Sequence, residues 1–240
     1  MDWQDYWNSA PAKCADTDFM AQVGKTVGGK AIEATHIALI VHQLREILGL
    51  TVEDAVLDLC CGNGLLTKEI AQSCRRVTGV DYSAPLIRVA REFHCPDNAA
   101  YVEAAVTTMG ADSFAAGKDS GKFTKAYMYE ALQYFDEAQL ALILERLRPL
   151  MARPCAIFFG SVPDKERIWN YYNTPARKED YFRRLAKGEE AIGTWWEART
   201  LAAIAREAGF KCSVVPQPAG LYTAHYRFGL LLSDDGGQGR

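Results

Sequence analysis

The sequence predicts an α/β fold: a doubly wound, mostly parallel seven-stranded sheet with a C-terminal antiparallel hairpin strand, helices on both faces and a helical lid insert. Three observations carry this prediction. From residue 55 to residue 160, short apolar runs alternate with stretches of helical period, the pattern of a parallel sheet covered on both faces. After residue 209 the rhythm changes to strand, turn-rich loop, strand, which implies an antiparallel hairpin. The chain has 240 residues, 49% hydrophobic and 24% charged, enough for one domain with a full core.

Residues 1–30 are aromatic and glycine-bearing without one clean period, and are read as an N-terminal lid. From 31 to 48, Ile37, Ile40, Val41, Leu44, Ile47 and Leu48 recur at threes and fours, so an amphipathic helix closed by Gly49 is expected. Strands are then expected at 55–59, 76–80, 100–104, 124–129 and 155–160, with helices at 65–74, 84–93 and 137–150. Residues 161–194 form a long insert rich in aromatic and basic side chains, read as a lid over the substrate. A helix at 197–208, closed by Gly209, precedes strands at 210–215 and 224–232. Residues 234–240 read as a polar tail, and the whole of 1–240 as a single domain.

The charge balance, Lys+Arg 27 against Asp+Glu 30, gives no electrostatic footprint for a nucleic acid over the whole surface. No apolar run approaches the roughly 20 residues of a membrane span, so no membrane partner is expected. The N-terminus carries acid where a secretory signal carries base. Seven cysteines, odd in number and without a paired C-x-x-C, suit free thiols in a reducing compartment. A cytoplasmic protein acting on a small molecule, with no metal, is the expectation.

The strand-to-helix loop Val56-Leu57-Asp58-Leu59-Cys60-Cys61-Gly62-Asn63-Gly64 sits where ligands bind in such a sheet. A dinucleotide would want a third small residue, and Thr67 stands there. Asp58 would oppose a diphosphate but suits an ammonium and a sulfonium, the charges of S-adenosylmethionine. Asp81, in Val80-Asp81-Tyr82-Ser83, lies where an acid binds ribose hydroxyls, and serves either class of cofactor.

On these residues the chain resembles the class I S-adenosylmethionine-dependent methyltransferases, whose first motif is an acid followed by x-G-x-G-x-G. Here Cys60 replaces the first glycine, and Gly62 and Gly64 supply the others. The resemblance covers residues 50–160 and, by topology, the terminal hairpin. It implies that Asp58, Cys60, Gly62, Asn63 and Gly64 hold the methionine portion of the cofactor and Asp81 the ribose. Tyr82 and Leu86 would flank the adenine, with Ala105 along its edge. Glu130, at the tip of the fourth strand, would face the reacting methyl. The cofactor would leave as S-adenosylhomocysteine.

His225, just after the hairpin loop, is the candidate general base, with Tyr134 second. Tyr6, Trp7, Trp169, Tyr172, Arg177 and Tyr222 are candidate acceptor contacts. Residues 165–188 carry net +4 in a chain of net −3, which suits an acceptor bearing phosphate or carboxylate. Tyr129-Glu130-Ala131-Leu132 lacks the turn used by nucleic-acid amino-methyltransferases of this fold, so a hydroxyl of a sugar or secondary metabolite is the expected acceptor. N- or C-methylation, a nicotinamide-dependent oxidoreductase and a non-catalytic S-adenosylmethionine-binding protein are the alternatives.

Overall fold

The computed structural model describes residues 2–114 and 122–236; of the expected polar tail, 237–240 lie outside the described residues. In chain order the elements are α1 (Trp3–Ser9), α2 (Phe19–Gln22), β1 (Thr26–Val27), β2 (Lys30–Ala31), α3 (Ala34–Leu48), β3 (Ala55–Leu59), α4 (Thr67–Ala71), β4 (Arg76–Asp81) and α5 (Ala84–Phe93). They continue with β5 (Ala99–Glu103), β6 (Phe123–Tyr129), α6 (Glu137–Leu147), β7 (Met151–Pro163), α7 (Ile168–Tyr171), α8 (Pro175–Leu185), α9 (Ala198–Glu207), β8 (Lys211–Pro216) and β9 (Arg227–Asp234).

Seven strands form one sheet in the order β5-β4-β3-β6-β7-β9-β8. β3 pairs in parallel with β4 on one side and β6 on the other, so the winding reverses between β3 and β6. That reversal opens a crevice at the carboxyl ends of these strands. β9 runs antiparallel to both β7 and β8, as the turn-rich loop predicts.

Alternation along each strand feeds two cores. Leu57, Leu59, Ala126, Met128, Ile157 and Phe159 face α6 and α9, meeting Leu140, Ile143, Leu144, Leu147 and Leu201. Val56, Tyr127, Tyr129 and Phe158 face α3, meeting Ile37, Ile40, Val41, Leu44 and Leu48. Burying each such side chain is worth about 1.5–3 kcal/mol before the entropy of ordering it is subtracted.

Several boundaries move for local reasons. The helix expected at 65–74 shrinks to α4, because Gly62 and Gly64, with φ +56° and +78°, carry a left-handed loop up to its start. The one expected at 137–150 gives way to a 3₁₀ turn at Arg148–Leu150, where Pro149 has no N–H to donate. β7 is longer than its apolar run, since β6 and β9 pair with it on both edges. β9 starts at Arg227 rather than 224: Ala224 N and Tyr226 N donate back to Leu221 and Thr223 in consecutive turns, so His225 stands in a turn before the strand.

Candidate functional site

Among the described residues, three non-glycine positions adopt left-handed backbone, Cys60 (φ +59°), Glu130 (+57°) and Ser161 (+57°). Each lies at the carboxyl edge of the sheet, by β3, β6 and β7 in turn. Such conformations cost of order 1 kcal/mol apiece for a side-chain-bearing residue and cluster at ligand sites. Cys60 holds the conformation that a glycine would take without strain.

The crevice at this edge is a cavity of about 400 Å³, the size of a small-molecule site. Its wall includes Asp58, Cys60, Gly62, Asn63, Asp81, Tyr82, Leu86, Ala105, Glu130 and Tyr134 from the sequence-predicted set. Gly64 is not on the wall; it shapes the loop beneath, where a Cβ would collide with the Tyr101 ring.

Asp58 pairs in register with Tyr127 on the neighbouring strand. Its Oδ2 accepts from Thr67 Oγ1 (2.6 Å) and Tyr127 Oη (2.7 Å). Burial pushes the carboxyl up to about 7, against the pull of those two hydrogen bonds. Asp81 ends β4 and braces the loop: Gly62 N donates to its Oδ2 and Ser83 N to its Oδ1, both at 2.9 Å. Each oxygen keeps a lone pair free for a further donor. Burial raises this carboxyl too. Two buried acids on one wall fit a ligand that brings a positive charge and a pair of hydroxyls.

The N-terminal segment closes over the crevice. Asn63 Nδ2 donates to Phe19 O (2.8 Å) and Gln22 Oε1 (2.9 Å), Tyr82 Oη to Trp3 O and Ser83 Oγ to Trp7 O, both at 2.9 Å. Trp3 packs tilted and Trp7 edge-on against Tyr134, with centroids 4.7 and 5.7 Å apart. Tyr6 lies outside this wall and is exposed. Burial pushes the Tyr134 phenol up to about 12, so at neutral pH it donates a hydrogen bond rather than removing a proton.

Sequence reasoning missed Lys25. It is 5% exposed, ion-pairs with Glu130 and sits 5.3 Å from the Tyr129 ring centroid. Glu130 also accepts from Ser161 Oγ (3.1 Å) and Tyr222 Oη (3.3 Å). Burial raises this carboxyl, but the charges of Lys25 and Arg227 outweigh it and hold the group below the ordinary value. A lone lysine after a glycine in an aperiodic stretch gives no sequence signal. Only the β1–β2 hairpin, turned by Gly28 and Gly29 at φ +58° and +78°, brings it back over the sheet.

The remaining candidates stand off the cavity wall. His225 is exposed, with its backbone carbonyl held by Asn170 Nδ2 at 2.7 Å. Trp169 and Arg177 are exposed, and Tyr172 is buried with its hydroxyl on Glu190. Tyr222 reaches the site only through Glu130. The insert packs instead against the turn that leads into β9, with the Tyr171 and Trp195 rings 4.9 and 6.0 Å from that of Tyr226. Among the described residues, no group of three or more His, Cys, Asp or Glu could hold a metal ion. All seven cysteines are free, and burial pushes the Cys60 and Cys61 thiols well above the ordinary range.

Residues 56–153 match a family model described as a methyltransferase domain. An uncharacterized methyltransferase of Schizosaccharomyces pombe is 39% identical over 59 residues, covering 25% of this chain and 23% of the relative. The chain thus matches about a quarter of that relative's length. Magnesium protoporphyrin IX methyltransferase from Synechocystis, solved with bound S-adenosylhomocysteine, is similar with a TM-score of 0.61 at 15% identity, covering 97% of each chain. A putative methyltransferase from Haloferax volcanii, solved in complex with the Trm112 activator, gives 0.63 at 14% identity, covering 95% of this chain and 97% of the other. These structural likenesses are ones of fold. The matched segment runs from β3 through β6 into β7 and so contains the glycine loop, Asp81 and Glu130; over residues 56–153 the chain is similar to methyltransferase domains, and its whole fold is similar to that of the solved methyltransferases.

Proposed function

We propose that this protein transfers the methyl group of S-adenosylmethionine to a small-molecule acceptor. The observation that carries the proposal is the pair of buried carboxylates, Asp58 and Asp81, on one wall of a cavity closed by aromatic side chains. Asp81 would accept from both ribose hydroxyls while its backbone partners keep it in place. Asp58 and the Cys60–Gly62 backbone would hold the ammonium end, and Lys25 lines the same cavity. When bound, the cofactor supplies an activated methyl whose leaving thioether needs no acid.

The protein's part is then orientation and exclusion of water. Trp3, Trp7 and Tyr134 line the cavity, and the charges of Lys25 and Arg227 favour the ionised form of Glu130. An acceptor hydroxyl, on a sugar or secondary metabolite, is the reading retained. Since His225 is exposed and off the wall, His225→Ala is expected to change turnover by less than about threefold, within about 0.7 kcal/mol of barrier. A hundredfold loss in steady-state rate with unchanged cofactor affinity would make it the general base after all.

The test of the function itself is binding across pH. S-adenosylhomocysteine should raise the melting temperature and NAD should not. Burial pushes the Asp58 carboxyl up to about 7, and a ligand ammonium beside it favours its ionised form. Affinity should therefore strengthen as pH rises through 7, by roughly twentyfold from pH 5.5 to 7.5 if this one group dominates. The sign is opposite for the ligand-free fold, in which the raised carboxyl loses stability as the unfolded chain ionises from about pH 4 upward. Calorimetric titration of Asp58→Asn should show the pH slope flattened; a slope unchanged in that variant would remove Asp58 from the ammonium site.

A further inference from the structure

Among the described residues, α8 is an 11-residue helix with no buried side chain. A surface helix ordinarily buries one stripe against its protein, and this one is started by local means instead: Thr174 caps it by accepting from Arg177 N (3.2 Å), and Pro175 opens the first turn. Tyr181 holds its inner side, stacked 4.7 Å from Tyr172. The outward stripe is Lys178, Phe182 and Leu185, spaced i, i+4, i+7.

Phe182 is 56% exposed and Leu185 50%. Trp169 of α7, 44% exposed, extends the patch, with its ring 5.9 Å from Phe182 and the Lys178 ammonium 5.3 Å from its centroid. The other large exposed apolar side chains, such as Val27, Val52, Phe93 and Val214, lie on separate elements. Around the patch stand Arg177, Arg183 and Lys187, in a segment of net +4 on a chain of net −3.

We propose that this face is a docking surface for an anionic lipid bilayer. Three apolar side chains fall short of the roughly 800 Å² that each partner contributes to a specific protein interface, and lysine is depleted in such interfaces. Helices that lie in a bilayer surface show the combination present here, Trp, Phe and Leu on one side with Lys and Arg beside them. The basic stems bury along the acyl boundary and the charged heads stay among the phosphates. No described helix is long and apolar enough to cross a membrane, and none is needed for peripheral binding. Beyond α8 the chain returns to the cavity, where Thr194 N donates to Gln133 O (2.8 Å). A docked α8 would thus hold the carboxyl edge of the sheet close to the bilayer.

The test is flotation of the full chain with vesicles of phosphatidylcholine alone and with vesicles in which about a third of the lipid is phosphatidylglycerol. Binding to the second only, weakened by high salt, is expected. Lys178→Glu with Lys187→Glu should lower the partition coefficient at least about tenfold, each cation near such a surface being worth roughly fivefold. Phe182→Ser with Leu185→Ser should lower it as well. Both double variants should keep the parent's melting temperature and S-adenosylhomocysteine affinity, since none of the four residues lines the cavity. Equal binding to both vesicles, no binding to either, or binding that neither double variant weakens overturns the proposal. So does capture by polyglutamate without capture by vesicles, which would assign the patch to an acidic protein.

Discussion

Asp81→Ala is expected to weaken S-adenosylhomocysteine binding by a hundredfold or more. A carboxylate accepting from two ribose hydroxyls makes two charge-assisted hydrogen bonds, each worth about 1.5–3 kcal/mol when its partner is left unpaired, and about 2.7 kcal/mol in total already gives that factor. The loss has a second source in this structure. The same two oxygens bond Gly62 N and Ser83 N, so the alanine variant also frees the glycine loop that must approach the ligand. Asp81→Asn keeps the shape, but its NH2 group donates and cannot accept, so only one of Gly62 N and Ser83 N keeps its acceptor, and an intermediate loss is expected. Isothermal titration of both variants checks the order; an alanine variant that binds like the parent would exclude Asp81 from the site.

Lys25→Met is the substitution expected to cost the most stability. Lys25 and Glu130 are both largely withdrawn from water, with side chains 6% and 15% exposed. Removing one partner of a buried pair leaves the other charge uncompensated, a loss of about 3–5 kcal/mol. For a chain of this size that is a fall in melting temperature of about 10 °C. Arg227, near enough to lower the Glu130 carboxyl, offsets part of the loss. The double variant Lys25→Met with Glu130→Gln should recover most of it, because no charge is then stranded, and the difference between single and double variants measures the coupling. If the single variant melts within 2 °C of the parent, taking about 3 °C per kcal/mol, the pair contributes little and the N-terminal segment is held by its other contacts.

That Asp58, the glycine loop and Asp81 meet on one cavity wall was legible because these residues are near neighbours in the sequence. Asp58, Cys60, Gly62 and Asn63 lie within six consecutive positions, and Asp81 follows at the end of the next strand, so strand spacing alone places both acids at one edge. The cysteine in the first glycine position was legible as a substitution but not as strain; its φ of +59° belongs to the folded loop. Which other side chains reach that cavity was not legible. His225, Trp169 and Arg177 were assigned to it by topology and composition, and the turns at 221–226 and the outward packing of α7 and α8 carry them away from the cavity wall. Trp7 and Tyr134 do reach the wall, through the aromatic contacts of α1, an element with no periodicity to announce it.

Sequence by itself determined the order of the seven strands along the chain, the two faces of the sheet and the glycine loop, since each follows from the period of apolar residues or from neighbours a few positions apart. Tertiary structure alone decided which residues close the cavity. Lys25 and Glu130 are 105 positions apart, and Trp3 and Tyr134 are 131 apart. Contacts over such separations depend on how a strand order and a short glycine hairpin return the chain upon itself, and no local propensity encodes that return. The same holds for the outward stripe of α8: its residue types were visible as a basic, aromatic insert, but their exposure is a property of where the helix is not packed.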